Sequence, residues 1–425
     1  MQRPRSRRAL LRSTAAGIVV AAAGCIGSDD SDAPTTDSPT DETATDSPTE
    51  TPTDDHTAID VGEGDWPTFR HDAGNSGYAP DVAGLPSGPT AHWRISANDG
   101  EIGYDTPPSV SDGTVFLGRP GGVEAVSAAT GERKWYRPLD GAGDVTAAVT
   151  VNNGVAYAAD GSVHALDPGD GSEHWTATDE TGPLTAPTAA GDLVIALADP
   201  YDGGTLVGLD AADGAERWRF EFDGTTRSIP PVDDQHVYVS TTDGTTYAVA
   251  REDGALQWQS GVANESYGSP VVAGETVYVT DGAGTLYALR AADGAERWRA
   301  EGSPGINSPG VAVGDDAAYV CDEGKIVARA VSDGRTLWET EFVGDVPTAP
   351  AVAGQAVHFG TSDGRVYAVS PDDGEELWRF QVRRVTVGDQ RPRSVSHGPA
   401  VVDGAVFVTT DGGDVYGFGD SRSDG

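Results

Sequence analysis

Eight of the nine tryptophans recur at Trp93, Trp135, Trp175, Trp218, Trp258, Trp298, Trp338 and Trp378, at intervals of 42, 40, 43, 40, 40, 40 and 40 residues. A period of this kind constrains the fold before any other feature, because each unit must be built and stacked like its neighbours. The frame extends around the indole. Four positions before each of the last seven stands Gly131, Gly171, Gly214, Gly254, Gly294, Gly334 or Gly374, preceded by Asp in every case except Thr130. Ten positions before each of these tryptophans is Ala125, Ala165, Gly208, Ala248, Ala288, Ala328 or Ala368, always a small residue. The nonapeptide AADGAERWR, identical at 211–219 and 291–299, is two copies of this frame two periods apart.

Within one unit, SPVVAGETVYVTDGAGTLYALRAADGAERWRA (269–300) gives four short apolar or alternating runs separated by Asp-Gly and Gly-rich turns. Such turns take positive φ at little steric cost and join hairpin strands. Four strands per 40–45 residues is the period of a β-propeller blade. A helical repeat is excluded by 56 Gly, 27 Pro and the β-branched runs. Each blade must bury both faces. The indole then serves as a flat plate worth roughly 4–6 kcal/mol gross at about 25 cal/mol per Å², with the small residue ten positions earlier as the expected seat for a neighbour's indole. These tryptophans are expected in the core and not at a cofactor.

Seven units are complete. The last stretch, 397–420, has three strands and no tryptophan, whereas TAHWRIS (90–96) has the tryptophan strand alone. Together they make one blade, so the expectation is an all-β, eight-bladed propeller of four-stranded antiparallel blades, closed by N- and C-terminal strands without an open edge.

The frame resembles the Ala-x-Asp-x-x-Thr-Gly-x-x-x-Trp motif of the PQQ-like (quinoprotein-type, BamB-like) β-propeller repeat family, over about residues 65–420. WPTFRHDAGNSGYAP (66–80) looks like the leader that these propellers carry before their first strand. The motif's internal Asp survives only at Asp167 and Asp210, and its Thr only at Thr130, changes that bear on the turn more than on the plate. The resemblance implies either of two functions. One is a protein-interaction or assembly scaffold without a cofactor. The other is a PQQ-dependent dehydrogenase of an alcohol or sugar, with Ca²⁺ beside the quinone. The adjacent Cys-Cys pair of many quinone dehydrogenases is missing here, although soluble quinoproteins also do without it.

The N-terminus carries an address. Twin arginines in SRRALL (6–11) precede the apolar AAGIVVAAAGC (15–25), too short for a permanent span. The segment resembles a twin-arginine export signal, and AAGC (22–25) resembles a lipobox with Ala22 in place of Leu. Residues 1–24 are then removed and Cys25 is the lipidated first residue, which holds the chain to the membrane; the plainer reading is a cleaved secretory signal. Residues 25–64 are rich in Asp, Thr, Ser and Pro and read as a solvated stalk. The propeller follows over 65–420 and a tail over 421–425.

Net charge is −39, and removing the five arginines of residues 1–24, which contain no acid, takes it to −44. Lysine occurs only at Lys134 and Lys325, and the acid is spread over every blade. Concentrated salt would screen such self-repulsion, which points to an extreme halophile, an archaeon by the export signal and lipobox together. The charge argues against nucleic acid as a partner. With Cys25 acylated, Cys321 stands alone and reads as a buried structural thiol. A monomer is expected.

No EF-hand loop, HExxH or nucleophile elbow is present, so no catalytic residue is assigned. A ligand site, if the ring has one, belongs at its axial mouth, where the innermost strands begin. The positions there are Asp105, Thr106, Thr146, Thr185, Arg227, Ser228, Tyr267, Asn307, Thr348 and His397. Asp105, Arg227, Tyr267, Asn307 and His397 are the candidate ligand contacts; the plainer reading is a hydrated rim of strand-entry polar groups. Finally, the connector RFQVRRVTVGDQRPRSVSH (379–397) is long and basic. Its Arg383, Arg384, Arg391 and Arg393 are candidates for an anionic protein partner at the membrane surface, with internal charge balance as the alternative.

Overall fold

The structure, a computed structural model, describes residues 58–85, 87–96, 104, 106–141, 143–180, 182–198, 203–262, 264–266, 268–302, 310–322, 324–382 and 394–420. Cys25, Asp105, Tyr267, Asn307, Arg383, Arg384, Arg391 and Arg393 lie outside the described residues. Eight sheets form the ring. Blades 1 to 7 take residues 109–138, 150–177, 184–221, 232–261, 271–300, 311–341 and 351–381. In blade 8 the outer strand Pro89–Ile95 pairs antiparallel with Val415–Asp420, so strands from opposite ends of the chain share one sheet. Closure follows the split read from the sequence.

Blade 4 departs from four full strands: three strands, His236–Ser240, Thr245–Ala250 and Leu256–Gly261, are completed by a single bridge between Val232 and Val237. Its inner segment begins Ile229-Pro230-Pro231. Two consecutive residues without N–H cannot extend a ladder. Neighbours satisfy the backbone instead: Ser269 Oγ accepts from Ile229 N at 2.8 Å and Asn75 Nδ2 donates to Ile229 O at 2.9 Å.

The tryptophans dock blade on blade. Seven of the eight periodic indoles donate Nε1–H to the first carbonyl of the turn before the next blade's outer strand: Trp93 to Ala128, Trp135 to Pro168, Trp175 to Ala211, Trp218 to Arg251, Trp258 to Ala291, Trp298 to Val331 and Trp338 to Pro371, over 2.7–3.0 Å. The receiving surface is that turn's glycine. A Cβ on Gly294, at φ +69°, would lie 2.5 Å from Trp258, and the six equivalent glycines meet the preceding blade's indole in the same way. This corrects the expected role of the small residue ten positions before the indole. Ala248 faces Trp258 across two strands of the same blade, and Gly208 faces Trp218 likewise. Smallness there makes room for the blade's own indole. In every outer strand a bulge falls just before the tryptophan. The extra residue turns the indole inward, and in blades 1 to 7 the two residues before it stay exposed, as in blade 6 (Thr336–Glu341).

Candidate functional site: the axial channel and its rim

An inner strand pairs on one side only, so its other edge presents unpaired N–H groups to the axis. The leader meets them. Val110, Val151, Val232, Val272, Val313 and Val352, on the inner segments of blades 1, 2, 4, 5, 6 and 7, each donate an N–H to a leader carbonyl: Trp66, Pro67, Ala73, Gly74, Ser76 and Gly77 respectively, over 2.7–2.9 Å. The leader therefore crosses the axial hole from blade 1 to blade 7. It then leaves between blades 7 and 8, with Tyr78–Ala79 parallel to Val352 and Ala353. Its contacts start before residue 65: Ile59 is buried, and its N–H donates to Ala129 O at 2.8 Å.

The crossing is polar. Arg70 is only 6% exposed. Its Nη1 donates to Val311 O at 3.1 Å, its guanidinium lies 5.1 Å from the Phe69 ring centre, and its Nε has no partner. Burial lowers its pKa to about 10. His71 packs edge-on against Trp66 at 5.2 Å, and burial lowers its pKa too, against the opposing pull of Asp72, Asp65 and Asp81. Trp66, the tryptophan outside the 40-residue frame, anchors this segment.

At the opposite ends of the inner strands, the rim positions are engaged with their own blades. Thr106 Oγ1 donates to Gly118 O at 3.3 Å and accepts from Gly118 N at 2.9 Å. Thr348 does the same with Gly360, at 3.2 and 3.0 Å. Thr185 reaches Leu197 O at 3.4 Å, Thr226 reaches Ser240 O at 2.7 Å and Ser266 reaches Thr280 O at 2.8 Å. His397 Nδ1 bonds with Thr409 Oγ1 at 3.1 Å. These groups tie each strand entry to the end of the next strand. In blades 4 and 5 the tie is made by Thr226 and Ser266, each one position before the candidates Arg227 and Tyr267, and Arg227 itself is exposed. Of the five candidate ligand contacts, the described pair, Arg227 and His397, are thus a solvent-facing cation and a structural ring.

Two charged clusters were not foreseen. Glu124, 2% exposed on the blade 1 strand Gly122–Ser127, accepts from Tyr104 Oη at 2.9 Å, from Arg119 Nη1 at 2.8 Å and from Arg133 Nε. Burial would raise its pKa, but the bonds from Arg133, Arg119 and Tyr104 prevail and hold it below the usual carboxylate range. In blade 2, His164 lies between Asp160 (Nε2 to Oδ1, 2.9 Å) and Glu173 (Nδ1 to Oε2, 3.3 Å). Asp160 Oδ2 also accepts Gly141 N at 2.7 Å. A carboxylate inside the apolar run GVEAVS was the only sequence signal for the first cluster. In both, the central groups Glu124, Asp160 and His164 are buried, while Arg133 and Glu173 reach the surface. Among the described residues, no group of three His, Cys, Asp or Glu is placed to hold a metal ion.

The profile of the family described as outer membrane protein assembly factor BamB matches residues 87–199, 159–305 and 301–422. A serine/threonine-protein kinase, AfsK of Streptomyces griseus, is 32% identical over 151 residues, 33% of this chain and 18% of the kinase; the chain thus spans under a fifth of that relative's length. Among solved structures, the quinohemoprotein alcohol dehydrogenase of Comamonas testosteroni is similar at TM-score 0.68 and 17% identity, covering 84% of this chain and 81% of that one. BamB from Moraxella catarrhalis is similar at TM-score 0.60 and 20% identity, covering 79% of this chain and 99% of that one.

Proposed function

The chain belongs to the family described as outer membrane protein assembly factor BamB, and on that footing we propose that it is a protein-interaction or assembly scaffold held outside the cytoplasm at a membrane surface. One observation carries the reading. The described rim side chains are hydrogen-bonded to their own strands, so what the open face offers is connectors for docking. Fold likeness alone would leave an enzyme equally open, since one fold hosts many activities. The partner-binding element is the connector after Trp378, whose Arg383, Arg384, Arg391 and Arg393 suit a carboxylate- or phosphate-bearing protein. Anchoring is through lipid on Cys25, with the acidic chain suited to concentrated salt.

Cross-linking pull-down from membranes tests the scaffold. Replacing the four arginines with Gln removes the partner at unchanged melting temperature. An unchanged partner profile with lowered stability assigns them to charge balance. Cys25→Ser tests the anchor separately: the protein is released into the medium if the lipid holds it.

A second reading, a PQQ-dependent dehydrogenase of an alcohol or sugar, takes its support from the likeness to the Comamonas enzyme. Of the candidate contacts for that pair, Asp105, Tyr267 and Asn307 lie outside the described residues, and the described Thr348 is bonded to its own blade. Dye-linked oxidation on adding PQQ and Ca²⁺ in high salt, with a raised melting temperature, favours this reading over the scaffold.

A further inference from the structure

Before it reaches the axis, the leader fills the joint between blades 8 and 1. Ile59 is buried there, and its N–H donates to Ala129 O at 2.8 Å, in the turn before the outer strand of blade 1. Gly62 N donates to Asp403 O at 2.9 Å, in the turn between the two inner strands of blade 8. Two turn carbonyls, one from each blade, thus hold a short segment whose apolar side chain enters the joint.

The repeat writes the same pair of carbonyls into the next joint. Trp93 donates to Ala128 O and Trp135 to Pro168 O, so Gly169 of blade 2 corresponds to Ala129. Val402 faces Ala405 and Ser111 faces Thr114, so Asp112 of blade 1 corresponds to Asp403. Asp112 and Gly169 both line a cavity of about 600 Å³, together with Phe116 and the leader's Asp65 and Pro67. Among the described residues nothing donates to the carbonyl of either. Asp65 is engaged, taking bonds from Asp112 N and Ser111 Oγ.

Lys134 lines the same cavity. Its Nζ donates to Thr114 Oγ1 at 2.6 Å and to Gly113 O at 3.3 Å, and no described carboxylate is within ion-pair distance. The cations at its position in blades 3 and 5 are neutralised: Arg217 by Asp192 and Asp210, and Arg297 by Glu275. An ammonium has three donors, so one N–H of Lys134 is left over. Two other joints are open, at about 430 and 480 Å³. Arg251 spans the first, reaching Ala190 O. The second sets Asp233, Asp234 and Glu275 against one arginine, Arg290, and repels acid.

We propose that the joint between blades 1 and 2 is a docking groove for a short segment of a partner protein, held as Ile59–Gly62 is held one joint earlier. Two N–H groups of the segment, three residues apart, donate to Gly169 O and Asp112 O. A small apolar side chain enters the cavity and a neighbouring carboxylate meets Lys134. Main-chain bonds supply affinity in such recognition, and the pocket supplies specificity. The register puts Ser127 where blade 8 has Gly419, whose Cβ would lie 2.7 Å from Ile59. The seat is therefore shallower than that of Ile59 and takes Ala or Val. Residues 48–57 contain no Ala, Val, Ile, Leu or Phe, so the chain's own preceding segment does not supply the occupant. The groove is separate from the connector after Trp378, and either can fail without the other.

The probe is a fluorescent, N-acetylated peptide of the leader's residues 57–64 carrying Ile59→Val, titrated against the full chain by anisotropy. Saturable binding is expected, weakened about tenfold or more by Lys134→Glu and kept by Lys134→Arg. N-methylation of the peptide's valine, which removes the donor to Gly169 O, weakens it comparably. Lys134 and Lys325 are the only lysines. Carbodiimide coupling of the peptide's carboxylate to Lys134 in the wild type, read by mass spectrometry, therefore places it in this joint and not in the one that Ile59 fills. No saturable binding, binding unchanged in Lys134→Glu, or coupling at Lys325 in place of Lys134 overturns the proposal.

Discussion

The indole of Trp378 donates to the carbonyl of Leu85, 2.6 Å away and 293 residues earlier in the chain. The other seven indoles use the turn of the following blade. Blade 8 has no such turn, because its last two strands are the two ends of the ring. A leader carbonyl stands in, so the eight-fold docking pattern is completed by a residue outside every blade.

Deleting 397–425 therefore removes both the inner three strands of blade 8 and the only sheet partner of Pro89–Ile95. Two edges open at once. The expected result is loss of a single cooperative melt in molar salt, followed by circular dichroism at two wavelengths. A melt identical to that of the full chain would disprove the clasp.

Docking between blades can be dissected at one joint. Trp258→Ala deletes a buried plate and is expected to destabilise by about 3–5 kcal/mol. Gly294→Ala places a methyl 2.5 Å from that indole at φ +69° and is expected to cost at least about 1–2 kcal/mol. Because the two residues touch, the double mutant in urea titrations should be less destabilised than the sum of the two. Additive effects would mean the glycine acts through its turn alone.

The rim predicts opposite outcomes for adjacent classes of residue. Thr348→Val strips both bonds to Gly360 and is expected to cost about 1–3 kcal/mol. Arg227→Ala, at an exposed position, should leave the urea midpoint within about 0.5 kcal/mol of wild type. Equal effects at both sites would place Arg227 in the structure and not on its surface.

His358 gives a pH dependence. It occupies the place that Tyr157, Tyr238, Tyr278 and Tyr319 hold beside the indoles of blades 2, 4, 5 and 6, with its ring 5.6 Å from Trp378. The ring is wholly buried; the carbonyls of Leu85 and Ala351 are near, but neither nitrogen makes a well-formed hydrogen bond. Burial drives its pKa down to about 4. The unfolded chain, with an ordinary histidine near 6.5, takes up the proton first. Stability from the neutral ring is thus complete above about pH 6.5 and falls away between there and pH 4, by roughly 3 kcal/mol in all. Comparing denaturation midpoints of wild type and His358→Phe across that range isolates the effect. Parallel curves would remove His358 from the account.

Much of the ring was legible because its signals are local and repeated. Trp, Gly and a small residue at fixed offsets report a turn, a plate and a cross-strand neighbour in each blade. Which small residue seats which indole was misread, because spacing along the chain does not say whether a contact lies within a blade or across two. Blade 4's shortened inner segment was written in Pro230 and Pro231, but outweighed by the period. The axial crossing was hardest to foresee. Trp66 and Arg70 stand outside the repeat, and the placing of their segment depends on six backbone bonds to strands from 44 to 275 residues away.

The shared sheet of blade 8 also sets an order of events during synthesis. Pro89 pairs with Asp420, so the outer strand of blade 8 waits while 331 further residues are made. At 5–20 residues per second that interval is roughly 20–60 s. Until then the growing chain carries one strand of blade 8 without its partner, and the leader gains its valine donors on blades 4 to 7 one at a time. An interrupted message would release a product with free strand edges, and such fragments, not the finished ring, are the species prone to aggregate.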